Sequence, residues 1–140
     1  MKTTPKQIII LILIVALHAG CNMKKGKEAA ERAVEKFHKQ LNAGQFREMY
    51  AEADDRFKKA AKEQDVIALF DAVHRKLGTV QKAKLTGWHV NAAAGGNTIT
   101  LGYDVEFSEG KAVEQFVFRQ SGDKVMLLNY NVNSPVLITK

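Results

Sequence analysis

Apolar positions in the first half of the chain recur at helical spacing. Between Lys27 and Leu41, the residues Ala30, Val34, Phe37 and Leu41 are separated by 4, 3 and 4 positions, which places them on one face of a helix that Gly44 ends. A shorter pattern follows at Phe46, Met49, Tyr50 and Ala53 and breaks at Asp54 and Asp55, residue types that compete for local backbone hydrogen bonds. The stretch to Ala61, with Phe57, carries no clear period. From Lys62 to Leu77 the stripe returns as Val66, Phe70, Val73 and Leu77, widened by Ile67 and Leu69 and stopped by Gly78.

After Gly78 the period drops to two. In Thr98–Ser108, Ile99, Leu101, Tyr103, Val105 and Phe107 face one way while Thr98, Thr100, Asp104 and Glu106 face the other. Flanking strands are predicted from Thr79 to Ala93, carrying Trp88, from Lys111 to Gln120, and from Lys124 to Asn133 with Leu128, Tyr130 and Val132 inward. Turn signals stand at Gly95 and Gly96, at Glu109 and Gly110, and at Gly122 and Asp123, so the strands form a meander. Its apolar face requires cover from the helices, which makes the predicted class α+β: three N-terminal helices packed on a curved four-stranded antiparallel sheet.

The N-terminus follows a different pattern. Met1–Gln7 is polar with Lys2 and Lys6, Ile8–Leu17 is uninterrupted apolar sequence, and the small pair Ala19 and Gly20 precedes Cys21. That is the layout of an export signal. The apolar run is about 15 Å long as a helix, half of a hydrocarbon core of roughly 30 Å, too short for a lasting membrane span. Ala19, Gly20 and Cys21 resemble the bacterial lipobox, in which the cysteine is acylated and cleavage falls before it; His18 departs from the aliphatic residue usual at its position, although Leu17 stands one place earlier. The resemblance implies residues 1–20 as signal peptide, 21–26 as lipidated tether, 27–140 as the domain, and a membrane held through lipid on Cys21. Asn22, rather than Asp, follows the cysteine, which by resemblance to the sorting rule implies the outer membrane, facing the periplasm.

Composition narrows the choice. Removing 20 residues from 140 leaves the length of one domain, large enough to need neither disulfide nor metal. Cys21 is the sole cysteine, so no internal disulfide forms. Of the 21 Lys and Arg, two lie in the leader, leaving a small excess over 15 Asp and Glu. No run interleaves Arg with aromatics, which excludes a nucleic-acid surface. Lys24, Lys25 and Lys27 stand beside the anchor, where anionic lipid is within reach.

Helices followed by a curved antiparallel sheet, with a short helix around Gly44, Gln45 and Phe46 and a glycine after the third helix, resemble the nuclear transport factor two-like (cystatin-like) superfamily across residues 27 to 133. The chain also looks like bacterial envelope proteins that carry such a domain. The resemblance implies a cone between helices and sheet, and in enzymes such as ketosteroid isomerase and small dehydratases an Asp or a His with Tyr works inside it.

Side chains of the right type are Tyr50, His74, His89, Tyr103, Asp104 and Tyr130. Asp104 falls on the polar phase of its strand, Tyr103 and Tyr130 on apolar faces where a packed ring is the simpler reading, and neither His74 nor His89 has a carboxylate partner in the pattern. His38 lacks a second ligand at i+3 or i+4, no thiol pair exists, and neither a phosphate loop nor a nucleophile elbow is present. No catalytic residue, metal or other cofactor is therefore assigned. Asp54, Asp55 and Arg56 read as a solvated helix end. Trp88 reads first as sheet packing, and as a ligand or partner anchor if it stands exposed at a cone mouth.

The expectation is a noncatalytic envelope domain binding a partner protein or a small apolar ligand in a pocket near Phe70, Trp88, Tyr103, Phe107, Phe116 and Tyr130. A packed, closed interior would remove the ligand. The alternatives are a small isomerase or hydrolase, needing a carboxylate or imidazole in a solvent-connected pocket, and a structural homodimer or oligomer through the outer sheet face, which Thr98, Thr100 and Glu106 make polar.

Overall fold

A computed structural model describes the backbone of residues 5–139 and the side chains of residues 22–139. The side chains of the leader and the thiol of Cys21 lie outside the described residues. Nine elements follow in order: α1 (Pro5–Asn42), α2 (Phe46–Ala51), α3 (Asp55–Ala60), α4 (Glu63–Leu77), β1 (Val80–Asn91), β2 (Asn97–Phe107), β3 (Gly110–Ser121), β4 (Lys124–Asn133) and α5 (Pro135–Thr139). The strands pair antiparallel in sequence order, with α1 and α4 laid across one face.

The two helical stripes do what their spacing requires. Ala30, Val34, Phe37 and Leu41 of α1 and Val66, Phe70, Val73 and Leu77 of α4 are buried against Ile99, Leu101, Tyr103, Val105 and Phe107 of β2. Burying one such side chain contributes about 1.5–3 kcal/mol. Gly78 caps α4 at φ 78°, a left-handed conformation where a Cβ would also collide with Ser108 Oγ.

The structure departs from the sequence reading in four places. Asp55–Ala60 form a helix of their own, α3, because Asp54 caps it by accepting the Arg56 amide at 2.9 Å. In β4 the inward residue is Leu127 rather than Leu128: a bulge opposite Val117 and Phe118 skips Leu128 and shifts the alternation by one. The stretch Asn22–Gly26, part of the expected tether, continues α1, and Gly26 is buried so closely that a Cβ would meet Gln120 Oε1 at 2.6 Å and Ile99 Cδ1 at 3.0 Å. The fourth difference is α5, a short helix after β4 whose Leu137 carbonyl accepts from Lys76.

Asn42, the last residue of α1, fixes where the sheet starts. Its side chain accepts from the Val80 amide at 2.8 Å and donates to the Val80 carbonyl at 3.2 Å. β1 thereby begins beside the C-terminus of α1. Its register with β2 then carries it along the helix to Trp88, opposite Leu101. The space left between α1 and this edge strand is the groove described next.

Candidate functional site

The apolar pocket expected between helices and sheet is filled. Phe70 and Phe116 retain no accessible surface, and Phe107 is buried with them. Phe37 sits at the centre, its ring centroid 5.4 Å from Phe70, 5.1 Å from Phe116 and 4.8 Å from Tyr130, in edge-on and tilted contacts that aromatic rings favour. Packing of this kind leaves no room for an apolar guest, so Phe70, Phe107, Phe116 and Tyr130 are core rather than pocket lining. Trp88 does not pack into the sheet: it is 49% exposed, with Lys27 Nζ 5.6 Å from its ring centroid, which leaves its second reading, as an exposed anchor.

Within that aromatic core lies a carboxylate. Glu114 faces inward from β3 and is completely buried. Its Oε2 lies 2.6 Å from His38 Nε2, and its Oε1 accepts from the Tyr130 hydroxyl at 2.6 Å. An ionised carboxylate only accepts, so with Glu114 charged Nε2 carries a proton, and in the neutral imidazole Nδ1 then presents its lone pair. Burial pushes the Tyr130 hydroxyl well above the ordinary range of a phenol, and the Glu114 charge and hydrogen bond push it further. The hydroxyl is thereby held as a donor to Glu114.

The network has one opening. His38 lies on the α1 stripe, four residues after Val34 and three before Leu41, and it forms part of the floor of a groove of about 460 Å³ between α1 and β1. Among the described residues, His74 Nδ1 is the only side-chain polar atom both sealed from solvent and unpartnered. His38 Nδ1 makes no hydrogen bond to a described protein group, so it keeps contact with the groove.

Glu28, Glu31 and Glu35 line the α1 rim at spacings of 3 and 4, with Arg32 among them, while Val34, Ala83 and Leu85 supply apolar surface and Tyr103 stands across from α1. The Tyr103 hydroxyl is pushed up to about 12, by burial first and then by the charges of Glu31 and Glu35. The field inside the groove is therefore negative.

The other candidates separate from this site. Asp104 and His89 are exposed, Asp104 as its phase predicts, and the Tyr50 hydroxyl bonds the Lys58 and Ala61 carbonyls, tying α2 to α3. Asp54 is not a solvated helix end but fully buried, its Oδ2 accepting from Arg119 Nε at 2.6 Å. Burial works to raise its pKa, but the Arg56 amide and the Arg119 and Arg56 charges outweigh it and hold the carboxyl below the usual value.

On the outer sheet face, Lys82, Lys84, Asp104 and Glu106 alternate in charge around a shallow hollow of about 490 Å³. No group of three or more His, Cys, Asp or Glu among the described residues is arranged to hold a metal, and none of their helices is long and apolar enough to cross a membrane.

Sequence reading passed over both members of the central pair. Yet Glu114 occupies the apolar phase of Ala112, Phe116 and Phe118, and His38 the apolar stripe of α1. A polar residue in a core phase needs a partner, and two such residues on facing elements suggest one another.

No protein-family model matches the chain, and no curated protein matches it. Among solved structures it is similar to a Streptomyces avermitilis protein assigned as a dehydratase of the NTF2-like family. That likeness has a TM-score of 0.52 at 14% identity over 78% of this chain and 95% of the other. It also matches Bd1075 of Bdellovibrio bacteriovorus, with a TM-score of 0.49 at 13% identity over 75% of this chain and 39% of the other. Helices laid on one face of a four-stranded antiparallel meander, together with the first of these likenesses, give the chain the NTF2-like fold.

Proposed function

We propose that this is an envelope lipoprotein, held through lipid on Cys21, whose NTF2-like domain binds a ligand in the α1–β1 groove without chemically changing it. The ligand class is a cationic group carried beside an apolar portion, in place of the wholly apolar guest that the filled interior rejects. The observation carrying this reading is the acidic rim of Glu28, Glu31 and Glu35 facing Tyr103 across an apolar floor. Arg32, and Lys27 paired with Glu31 at 3.0 Å, offset part of that charge, leaving Glu28 and Glu35 to dominate, and an aromatic or aliphatic segment on Val34 and Leu85 adds burial. Support for the anchor comes from the sequence: Lys2 and Lys6, the apolar run Ile8–Leu17, then Ala19, Gly20 and Cys21. Asn22 supports the outer membrane.

Two measurements test it. Benzyltrimethylammonium should shift the NMR resonances of His38 and Tyr103, and Glu31→Gln with Glu35→Gln should weaken that shift about tenfold. The anionic probe benzenesulfonate should leave them unmoved. Equal response to both probes, or to neither, overturns the ligand class. Intact mass and membrane fractionation of the wild type beside Cys21→Ser test the anchor, since an unacylated wild type overturns it.

A second reading rests on His38 alone. Nε2 held by Glu114 and Nδ1 open to the groove are the geometry of an oriented general base, such as an isomerase or hydrolase requires. Deuterium exchange at the α-carbon of cyclopentanone, faster than in buffer and lost in His38→Gln, would favour it. Exchange no faster than in buffer counts against this reading.

A further inference from the structure

We infer that the end of the domain next to Cys21 is a docking face for an anionic bilayer surface, an inference that rests on the proposed anchor. Trp88 is half exposed at 49%, Lys27 lies over its ring, and Met23, one helical turn before Lys27, is 41% exposed. Lys24 and Lys25 between them are exposed as well. The same end holds two of the sheet's three hairpin turns, β1–β2 and β3–β4, since Asn22 shares a hollow with Ala93, Gly95 and Gly122, and Gln120 donates to the Asn22 side chain at 3.4 Å.

These features fit a bilayer surface better than a second copy of the chain. Tryptophan is enriched at membrane interfaces because its ring has an apolar body and a polar N–H. Lysines beside an anchor draw anionic headgroups. Glu28 and Asp123 near this end oppose the attraction and Glu31 pairs with Lys27 at 3.0 Å, so Lys24, Lys25 and Lys124 carry the excess positive charge.

The short reach of the anchor supplies the second argument. With Asn22–Gly26 helical, Lys27 lies only about 9 Å along α1 from Cys21, where an extended tether would allow roughly 20 Å. Gly26, packed on Ile99 and Gln120, joins that turn of α1 to the sheet. A lipid on Cys21 therefore brings Trp88 and the three lysines to the depth of the headgroups, and the domain lies against the membrane instead of swinging above it.

Trp88 is the only tryptophan, so its fluorescence reports on this face alone. The full-length lipidated chain, purified from a didermal host, is reconstituted in vesicles of phosphatidylglycerol mixed with brominated phosphatidylcholine. Flotation reads the anchor, and bromine quenching of Trp88 reads the docking. The expected result is flotation with Trp88 quenched, with less quenching in brominated phosphatidylcholine alone. Quenching should also fall in Lys24→Gln with Lys25→Gln, each lysine lost weakening contact about fivefold.

Flotation with an unquenched Trp88 overturns the docking and leaves the anchor standing. A chain that does not float overturns both. A concentration-dependent blue shift of Trp88 without vesicles assigns the face to a second copy and overturns the membrane as its occupant.

Discussion

Asp54 and Glu114 are both carboxylates without accessible surface, yet their surroundings differ in kind. Asp54 sits at a corner where α3 starts beside β4, and both its oxygens are committed, one to the Arg56 amide and one to Arg119. Arginine keeps its proton at any pH a protein survives, so this arrangement has one state and serves as a clamp. Glu114 sits in the aromatic centre with a phenol and an imidazole as partners. That imidazole lines a groove, so the network can be reached from outside. Equal burial thus yields a structural fastening at one site and an addressable group at the other. Neither burial nor charge alone tells a carboxylate that a groove can reach through its partner from one that only fastens the fold; the partner does.

The comparison is broken most directly at Arg119. Arg119→Ala leaves Asp54 buried without its guanidinium, and breaking such a pair costs about 3–5 kcal/mol, read as a lower urea midpoint. Asp54 has a folded pKa below the unfolded value of 3.8. Its stabilisation is therefore present above that pH and is lost as pH falls through the folded value. The variant should accordingly lose less stability on acidification than the wild type. An unchanged acid limb would show that the pair is not the clamp described.

Glu114→Gln should cost less, about 1–3 kcal/mol, because the amide still accepts from Tyr130 and donates toward His38 while the charge is gone. It sharpens the comparison by moving the groove: the His38 resonances should shift and the response to the cationic probe weaken, whereas Arg119→Ala should leave both unchanged. Should Arg119→Ala perturb His38 equally, the two regions form one network.

The smallest effect is expected at Tyr103. Its phenol should ionise at about 12, as a step in the 295 nm absorbance titration that Tyr103→Phe removes. Glu31→Gln with Glu35→Gln should lower that value only in part, because burial is the larger cause. The raised value favours the neutral hydroxyl in the fold, a contribution present below pH 10 and lost as pH rises through about 12. A midpoint unmoved in the double variant would deny the groove its negative field.

Much of the fold was legible in the chain. The stripes Ala30–Leu41 and Val66–Leu77 and the alternation in Ile99–Phe107 predicted the core faces of α1, α4 and β2, because periods of 3.6 and 2 leave no other way to bury those residues. What failed were features with no period: the cap that turns Asp55–Ala60 into α3, the bulge that exchanges Leu128 for Leu127, and the exposure of Trp88 at an edge the helices leave uncovered. The candidate site was less legible still. The alternation points to Tyr103, but among aromatics that prove to be core, while His38 has no partner along its own helix and Glu114 finds its partners only on other elements.

The sequence by itself determined the order and type of the main elements, the meander, the apolar faces and the lipobox-like stretch ending at Cys21, since each is a local pattern along one segment. Only the tertiary structure decided that the cone is filled with Phe37, Phe70 and Phe116, that the open space lies instead between α1 and β1, and that His38 meets Glu114 across 76 residues of chain. Periodicity says which side of an element turns inward. It does not say which inward residue another element brings opposite it, or how closely the side chains fill the space between, and the chemistry of this site depends on both.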